Sequence, residues 1–162
     1  HSDSRRQRQM CIRDSIMRGE IIWQKSQGAN ANFAWGSWLS ASNPVIRDIH
    51  EYCLVFSKDS MKNSSGGIST IEKDEFMEST LSIWNINPEK AKKIGHPAPF
   101  PVELPKRFIN LYSFKDDLVL DPFIGSGTTA IASKLMQRNY VGYEINKDYI
   151  EIANKRLETE TN

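Results

Sequence analysis

The residues whose types and spacing could do chemistry lie in the carboxyl-terminal third. Gly125-Ser126-Gly127 sit between the apolar run Leu118-Val119-Leu120 and a helix-forming run from Thr128, and Glu144 closes the next apolar run. Glycine lets a backbone turn sharply and approach a ligand closely. A loop that ends at a helix start presents free N–H groups and the positive end of the helix dipole, which favour an anion. An acid at the tip of the following strand is placed to accept hydrogen bonds from ribose hydroxyls. The separation of Gly127 and Glu144 accommodates one helix and one strand. Together these residues predict an adenosine-bearing ligand across the carboxyl ends of the strands. The dinucleotide pattern G-x-G-x-x-G/A is only partly met, by Gly125, Gly127 and then Ala130 in the third place, and no lysine follows Gly127 as a P-loop requires, so ATP hydrolysis is disfavoured. The plainer reading is a glycine turn and a surface glutamate; the acid in register favours a ligand.

These residues need elements to hold them. A helix opens near Pro105, with apolar Phe108, Ile109, Leu111 and Tyr112 behind it. Asp116-Asp117 make a turn, and Leu118–Leu120 predict a buried strand. Thr128–Met136 predict a helix, Tyr140–Tyr143 a second buried strand, and Asp148–Leu157 an amphipathic helix with Tyr149, Ile150, Ile152, Ala153 and Leu157 inward. Residues 105–157 therefore read α-β-α-β-α, a parallel α/β unit with right-handed crossovers. Upstream, Ile16–Trp23 and Glu51–Ser57 predict strands, the second apolar enough to be covered on both faces. Residues 26–44 form a loop by composition, yet hold Phe33, Trp35 and Trp38. Residues 68–88 predict short, irregular structure, Pro88–Lys93 a short helix, and His96–Pro101 no regular structure.

The chain has 162 residues, 21 Lys+Arg against 20 Asp+Glu, and 39% hydrophobic residues, which suits about one globular domain. No apolar run is long enough for a membrane helix, and the first residues lack the apolar core of a signal peptide. A net charge of +1 says nothing about nucleic acid. Cys11 and Cys53 make neither a disulfide framework nor a zinc site, so a reducing, cytoplasmic setting is expected. Residues 1–15 (HSDSRRQRQMCIRDS) lack any period and read either as a disordered basic arm or as a non-native segment. The string Met10–Ser15 looks like translated transposon-adapter sequence, so the non-native reading is taken and its charge is not used. The natural chain is then expected to resume near Ile16, its amino-terminal part missing.

Asp121-Pro122-Phe123-Ile124-Gly125-Ser126-Gly127-Thr128-Thr129 resembles the S-adenosyl-L-methionine (AdoMet) motif of the DNA methyltransferases that act on adenine N6 or cytosine N4. Tyr143-Glu144-Ile145-Asn146 is similar to that family's next motif. The resemblance implies that Glu144 binds the ribose hydroxyls and Ile145 lies against the adenine. His96-Pro97-Ala98-Pro99-Phe100-Pro101 resembles the segment that closes over the methionine end. The implied cofactor-binding residues are Asp121, Pro122, Phe123, Gly125, Ser126, Gly127, Thr128, Glu144, Ile145, Asn146, His96 and Phe100. Residues 35–44 and 47–52 resemble the stretch around the late strands of the catalytic half, so the likeness runs from about Met17 to Leu157.

The implied fold is α/β, the Rossmann-like AdoMet-dependent methyltransferase fold, truncated at the amino end. The order is like the β group: catalytic-half remnant at 16–58, variable target-recognition segment at 59–89, AdoMet-binding half at 90–162. Residues 59–87 carry two lysines against five acids, a poor surface for phosphates; base-edge contacts by Asn, Ser or Trp84 and a plain solvated loop stay open. The family's catalytic motif is Asp, Ser or Asn followed by Pro-Pro and an aromatic residue. None of the seven prolines here adjoins another, so no catalytic residue is assigned and the motif is expected before Ile16. This fragment alone is then expected to be inactive. The implied reaction of the whole enzyme is direct transfer to the exocyclic nitrogen of a flipped base, without metal.

The implied partners are double-stranded DNA and a cognate restriction endonuclease system, with no membrane. His96 has an even claim to reaching the ligand or to a structural role. His50-Glu51, Arg47 with Asp48, and Cys53 read as structural, and at least one of Trp35 and Trp38 as core. Three rivals remain: a non-catalytic AdoMet- or nucleotide-binding module, an RNA methyltransferase of similar fold, and half of a nicotinamide dehydrogenase. The HPAPFP segment argues against the last.

Overall fold

The computed structural model describes residues 15–25, 38–39, 41–44, 46–89 and 99–161. They fall into two compact units, one made of residues up to Ser64 with Leu81–Asn85, the other of Ser65–Thr80 with Ile86 onward. Within residues 59–89, read as a variable target-recognition segment, Leu81–Asn85 belong to the first unit and Ser65–Thr80 to the second.

The first unit is a three-stranded sheet. Strand β1 (Ser15–Gln24) pairs antiparallel with β2 (His50–Lys58) and parallel with β3 (Ile83–Asn85), giving the order β2-β1-β3. The register sets Trp23 opposite Glu51 and opposite Trp84, with an irregularity between Met17 and Gly19. Ile21, Trp23 and Trp84 are the buried apolar residues of this sheet. The expectation that β2 is covered on both faces fails. Tyr52, Leu54 and Phe56 are exposed, alternating with half-buried Cys53, Val55 and Ser57. An apolar run permits double burial, but neighbouring elements decide it, and here only one face is covered.

The second unit carries the α-β-α-β-α order expected for 105–157. Helix α1 (Lys73–Ser79) precedes it, where irregular structure was expected. This helix has no apolar stripe; its Phe76 and Met77 are exposed. Polar contacts to helix α2 (Glu103–Tyr112) hold it: Arg107 with Glu78 at 3.2 Å, and Asn110 Nδ2 donating to Glu75 at 2.9 Å. Periodicity cannot report a helix held this way. Helix α2 starts two residues before Pro105, which occupies the first turn, where a missing N–H costs nothing.

Strands β4 (Leu118–Asp121) and β5 (Asn139–Gly142) pair in parallel, with Leu118 opposite Asn139 and Asp121 opposite Gly142. Helix α3 (Thr128–Leu135) connects them, and Ala130, Ile131, Ala132 and Ser133 in it are fully buried. Helix α3 packs on α2, on β5 and on α4 (Lys147–Glu160). Asn146 caps α4, its Oδ1 accepting the Asp148 N–H at 2.9 Å. The two strands were expected to be buried, yet Leu118 is 65% and Leu120 60% exposed, and all of β5 is exposed. Among the described residues their sheet has two strands, and a strand is only as buried as its neighbours make it.

Just before β5, Arg138 joins three segments. Its guanidinium donates to the Ser113 carbonyl and hydroxyl, the Thr70 hydroxyl and the Met136 carbonyl. Burial lowers its pKa from the ordinary guanidinium value, while Asp117 and Asp116 oppose that shift.

Candidate cofactor-binding site

The loop from Asp121 to Thr128 is built by its own polar groups. Asp121 ends β4. Its Oδ1 accepts the Phe123 N–H at 2.9 Å, and its Oδ2 accepts the Thr129 hydroxyl at 2.6 Å. The Tyr143 N–H donates to the Asp121 carbonyl at 3.0 Å, and the Ile124 N–H to the Tyr143 carbonyl at 3.0 Å. The loop is thus laced to the end of β5. Gly125 and Gly127 have φ of +51° and +83°, where side chains are disfavoured. At Gly127 a Cβ would also stand 2.8 Å from the Ala153 Cβ. Glycine there serves both the turn and the close approach of α4.

Glu144 crosses the mouth of this loop. Its Oε1 accepts the N–H groups of Ile145 at 2.9 Å and Asn146 at 2.8 Å, and its Oε2 accepts the Gly125 N–H at 3.1 Å. A carboxylate offers about four acceptor positions. Three are used, so one position on Oε2 is left for a ligand hydroxyl. Phe123 is 86% and Ile145 100% exposed, one just beyond each strand end. They offer apolar surface of the kind a flat base can lie on.

The loop therefore gathers Asp121, Gly125, Ser126, Gly127, Thr128 and Glu144, with Pro122 and Phe123 exposed on it. The Ser126 and Thr128 side chains are buried and accept from Arg156 Nη1, at 3.2 and 3.1 Å. Their hydroxyls face inward. Asn146 is engaged as the cap of α4. Phe100 is half-buried in the irregular stretch before α2, and its place at the site rests on the resemblance alone. His96 lies outside the described residues, as do Phe33, Trp35 and Cys11. Trp38 is exposed. Among the described residues, no group of His, Cys, Asp and Glu could hold a metal ion.

Sequence reasoning missed four residues that shape the site. Thr129 fixes Asp121, Ala153 makes room for Gly127, Ile124 packs over Gly142, and Arg156 holds the loop from beneath. One signal was available for Arg156. Tyr149, Ala153 and Arg156 follow the i, i+4, i+7 spacing of one helix face, so an arginine stands in the apolar stripe of α4.

The N6/N4 family model, described as DNA methylase, matches residues 4–155. The type II methyltransferase M.BglI of Bacillus subtilis is 43% identical over 138 residues, which is 85% of this chain and 36% of that protein. M.HindIII of Haemophilus influenzae is 33% identical over 173 residues, 98% of this chain and 52% of that protein. M.MthZI of Methanothermobacter thermautotrophicus is 31% identical over 150 residues, 85% and 42% respectively. The chain thus spans about half or less of these relatives' length. Among solved structures, one described as a DNA modification methylase from Thermus thermophilus, complexed with S-adenosyl-L-methionine, superposes with TM-score 0.73 at 28% identity, covering 91% of this chain and 55% of that one. The cytosine-N4-specific PvuII DNA methyltransferase, at 20% identity and TM-score 0.69 over 98% of this chain and 60% of that one, shares the fold. The fold is α/β, of the Rossmann-like methyltransferase kind. A family match over nearly the whole chain, with relatives above 30% identity and a glycine loop bridged to an acid, places the chain in the N6/N4 DNA methylase family.

Proposed function

We infer that the protein methylates an exocyclic amino group of adenine (N6) or cytosine (N4) in DNA, using AdoMet, and that this chain supplies the cofactor-binding half at residues 90–162. The observation that carries this reading is the Glu144–Gly125 bridge, which brings a carboxylate with one acceptor position left to the mouth of a glycine loop. AdoMet fits the residues present. The single anionic group of AdoMet, its carboxylate, suits the N–H groups at the start of α3. A ribose hydroxyl would donate to Glu144 Oε2, and the adenine would lie on exposed Ile145 or Phe123. When bound, AdoMet supplies a methyl group activated on a sulfonium.

The chain's own part is binding and orientation. Asp121 and Thr129 hold the loop's entry, Glu144 spans its mouth, and the positive φ at Gly125 and Gly127 shapes its floor. Holding a reactant in one geometry removes much of the entropic barrier to transfer. His96 and Phe100 would close over the methionine end, as the resemblance implies. Double-stranded DNA is the proposed substrate, within a restriction–modification setting in the cytoplasm. No helix among the described residues is long and apolar enough to cross a membrane.

The test is transfer of label from methyl-tritiated AdoMet by the full-length protein to duplex DNA and to RNA in competition. Digestion should yield labelled N6-methyladenine or N4-methylcytosine from the DNA. Label confined to RNA, or no transfer to either, would overturn the reading.

A further inference from the structure

We propose that Arg156 is a positioning residue for the cofactor loop: it locks the peptide between Ser126 and Gly127 and so aims the loop's N–H groups. The proposal rests on the reading of this loop as the AdoMet site. Arg156 is 9% exposed, and a buried guanidinium is costly unless it is paired and hydrogen-bonded. It is both. Nε and Nη2 donate to the Glu160 carboxylate at 2.8 and 3.3 Å. Nη1 donates to the Ser126 carbonyl at 2.9 Å, with the hydroxyls of Ser126 and Thr128 at 3.2 and 3.1 Å.

The Ser126 carbonyl belongs to the same peptide plane as the Gly127 N–H, which donates to the Ile124 carbonyl at 2.9 Å. That plane is therefore pinned at both ends, by α4 on one side and by the loop's own turn on the other. The pinning is needed because a flip of this plane turns ψ of Ser126 and φ of Gly127, and Gly127, already at φ +83°, passes between φ signs at little cost. Without Arg156 this peptide could flip, and the N–H groups that open α3 would lose their common direction. Ala153, one turn earlier on the same face, leaves the space into which Gly127 fits. Residues 153 and 156 together make α4 the seat of the loop.

A merely structural arginine would lower stability and weaken every ligand alike. A positioning arginine should act on the ligand end that the loop receives. The test is calorimetric titration of the full-length protein and its Arg156→Met and Arg156→Lys variants with AdoMet and, separately, with adenosine, which lacks the methionine end. Arg156→Met should weaken AdoMet about tenfold or more while adenosine, held through Glu144, changes no more than about twofold. Arg156→Lys should fall between parent and Arg156→Met for AdoMet, because an ammonium can reach the Ser126 carbonyl but cannot also form the planar fork on Glu160. Arg156→Lys keeps the charge and the stem, so its two affinities decide the matter if Arg156→Met does not fold. Equal loss for both ligands, or no loss for either, would overturn the role of Arg156 and leave the cofactor reading standing. Failure of the parent protein to bind AdoMet would remove the cofactor reading, and this proposal with it.

Discussion

Glu144 and Gly127 concentrate the site's demands in single residues. Gly127 has φ of +83° and α4 directly against it. Gly127→Ala should cost about 2–4 kcal/mol, combining left-handed strain with overpacking, read as a shift of the denaturation midpoint. Cys53 shows a different single-residue effect. Burial, and then the Glu51 charge, raise its thiol pKa above the ordinary value. The folded thiol keeps its proton where an unfolded one has lost it. Its reaction with iodoacetamide near pH 8 should therefore be slower in the folded protein than after denaturation, as mass spectrometry can follow. By the same sign, this group costs nothing at neutral pH and erodes stability as pH rises past the ordinary thiol range. At this scale the sequence was informative wherever a side chain's chemistry is local. The glycines, Asp121 and Glu144 announce a loop and an acid. The inward turn of the Ser126 and Thr128 hydroxyls was not legible, because it depends on Arg156, some thirty residues away.

Between elements, close contacts replace chemistry. A Cβ on Gly142 would stand 2.9 Å from the Ile124 Cβ, with the Ile124 Cδ1 nearer still. Gly142→Ala should therefore destabilise the join of loop and β5 by about 1–3 kcal/mol, and Ile124→Ala in the same chain should recover part of that loss. A double-mutant cycle by chemical denaturation checks the coupling. Arg138, just before β5, ties Thr70, Ser113 and Met136 together. Arg138→Met should cost about 2–4 kcal/mol, because the Ser113 and Met136 carbonyls would be left short of donors. The order of elements from α2 to α4 follows from apolar runs separated by turn residues, which is why it was legible. Helix α1 was not, since ion pairs and amide contacts on α2 hold it in place of an apolar stripe. Strand burial was misjudged for a related reason. The apolarity of Tyr52–Phe56 and Leu118–Leu120 is a property of the segment, whereas coverage depends on what lies beside it.

Taken whole, the chain combines near-neutral charge with exposed apolar sheet residues. The net charge is +1, and Tyr52, Leu54, Phe56, Leu118 and Leu120 are exposed. Low net charge with apolar patches favours association. This chain, expressed by itself, should enhance the fluorescence of an apolar-surface dye, and Leu120→Lys should lower that signal without changing the circular dichroism. Family and fold were legible at this scale because the glycine loop and its acid are short, local and specific. The place of Ile83–Asn85 beside β1 was not, since that pairing is non-local and no composition reveals it. The central claim is that the loop bridged by Glu144 holds AdoMet, and titration calorimetry of the protein with AdoMet, set beside its Glu144→Ala variant, tests it most directly. Loss of a charge-assisted bond to the ribose, and of the carboxylate spanning Gly125 and Asn146, should weaken binding by about 1–3 kcal/mol. Equal affinity of variant and parent for AdoMet would contradict the account.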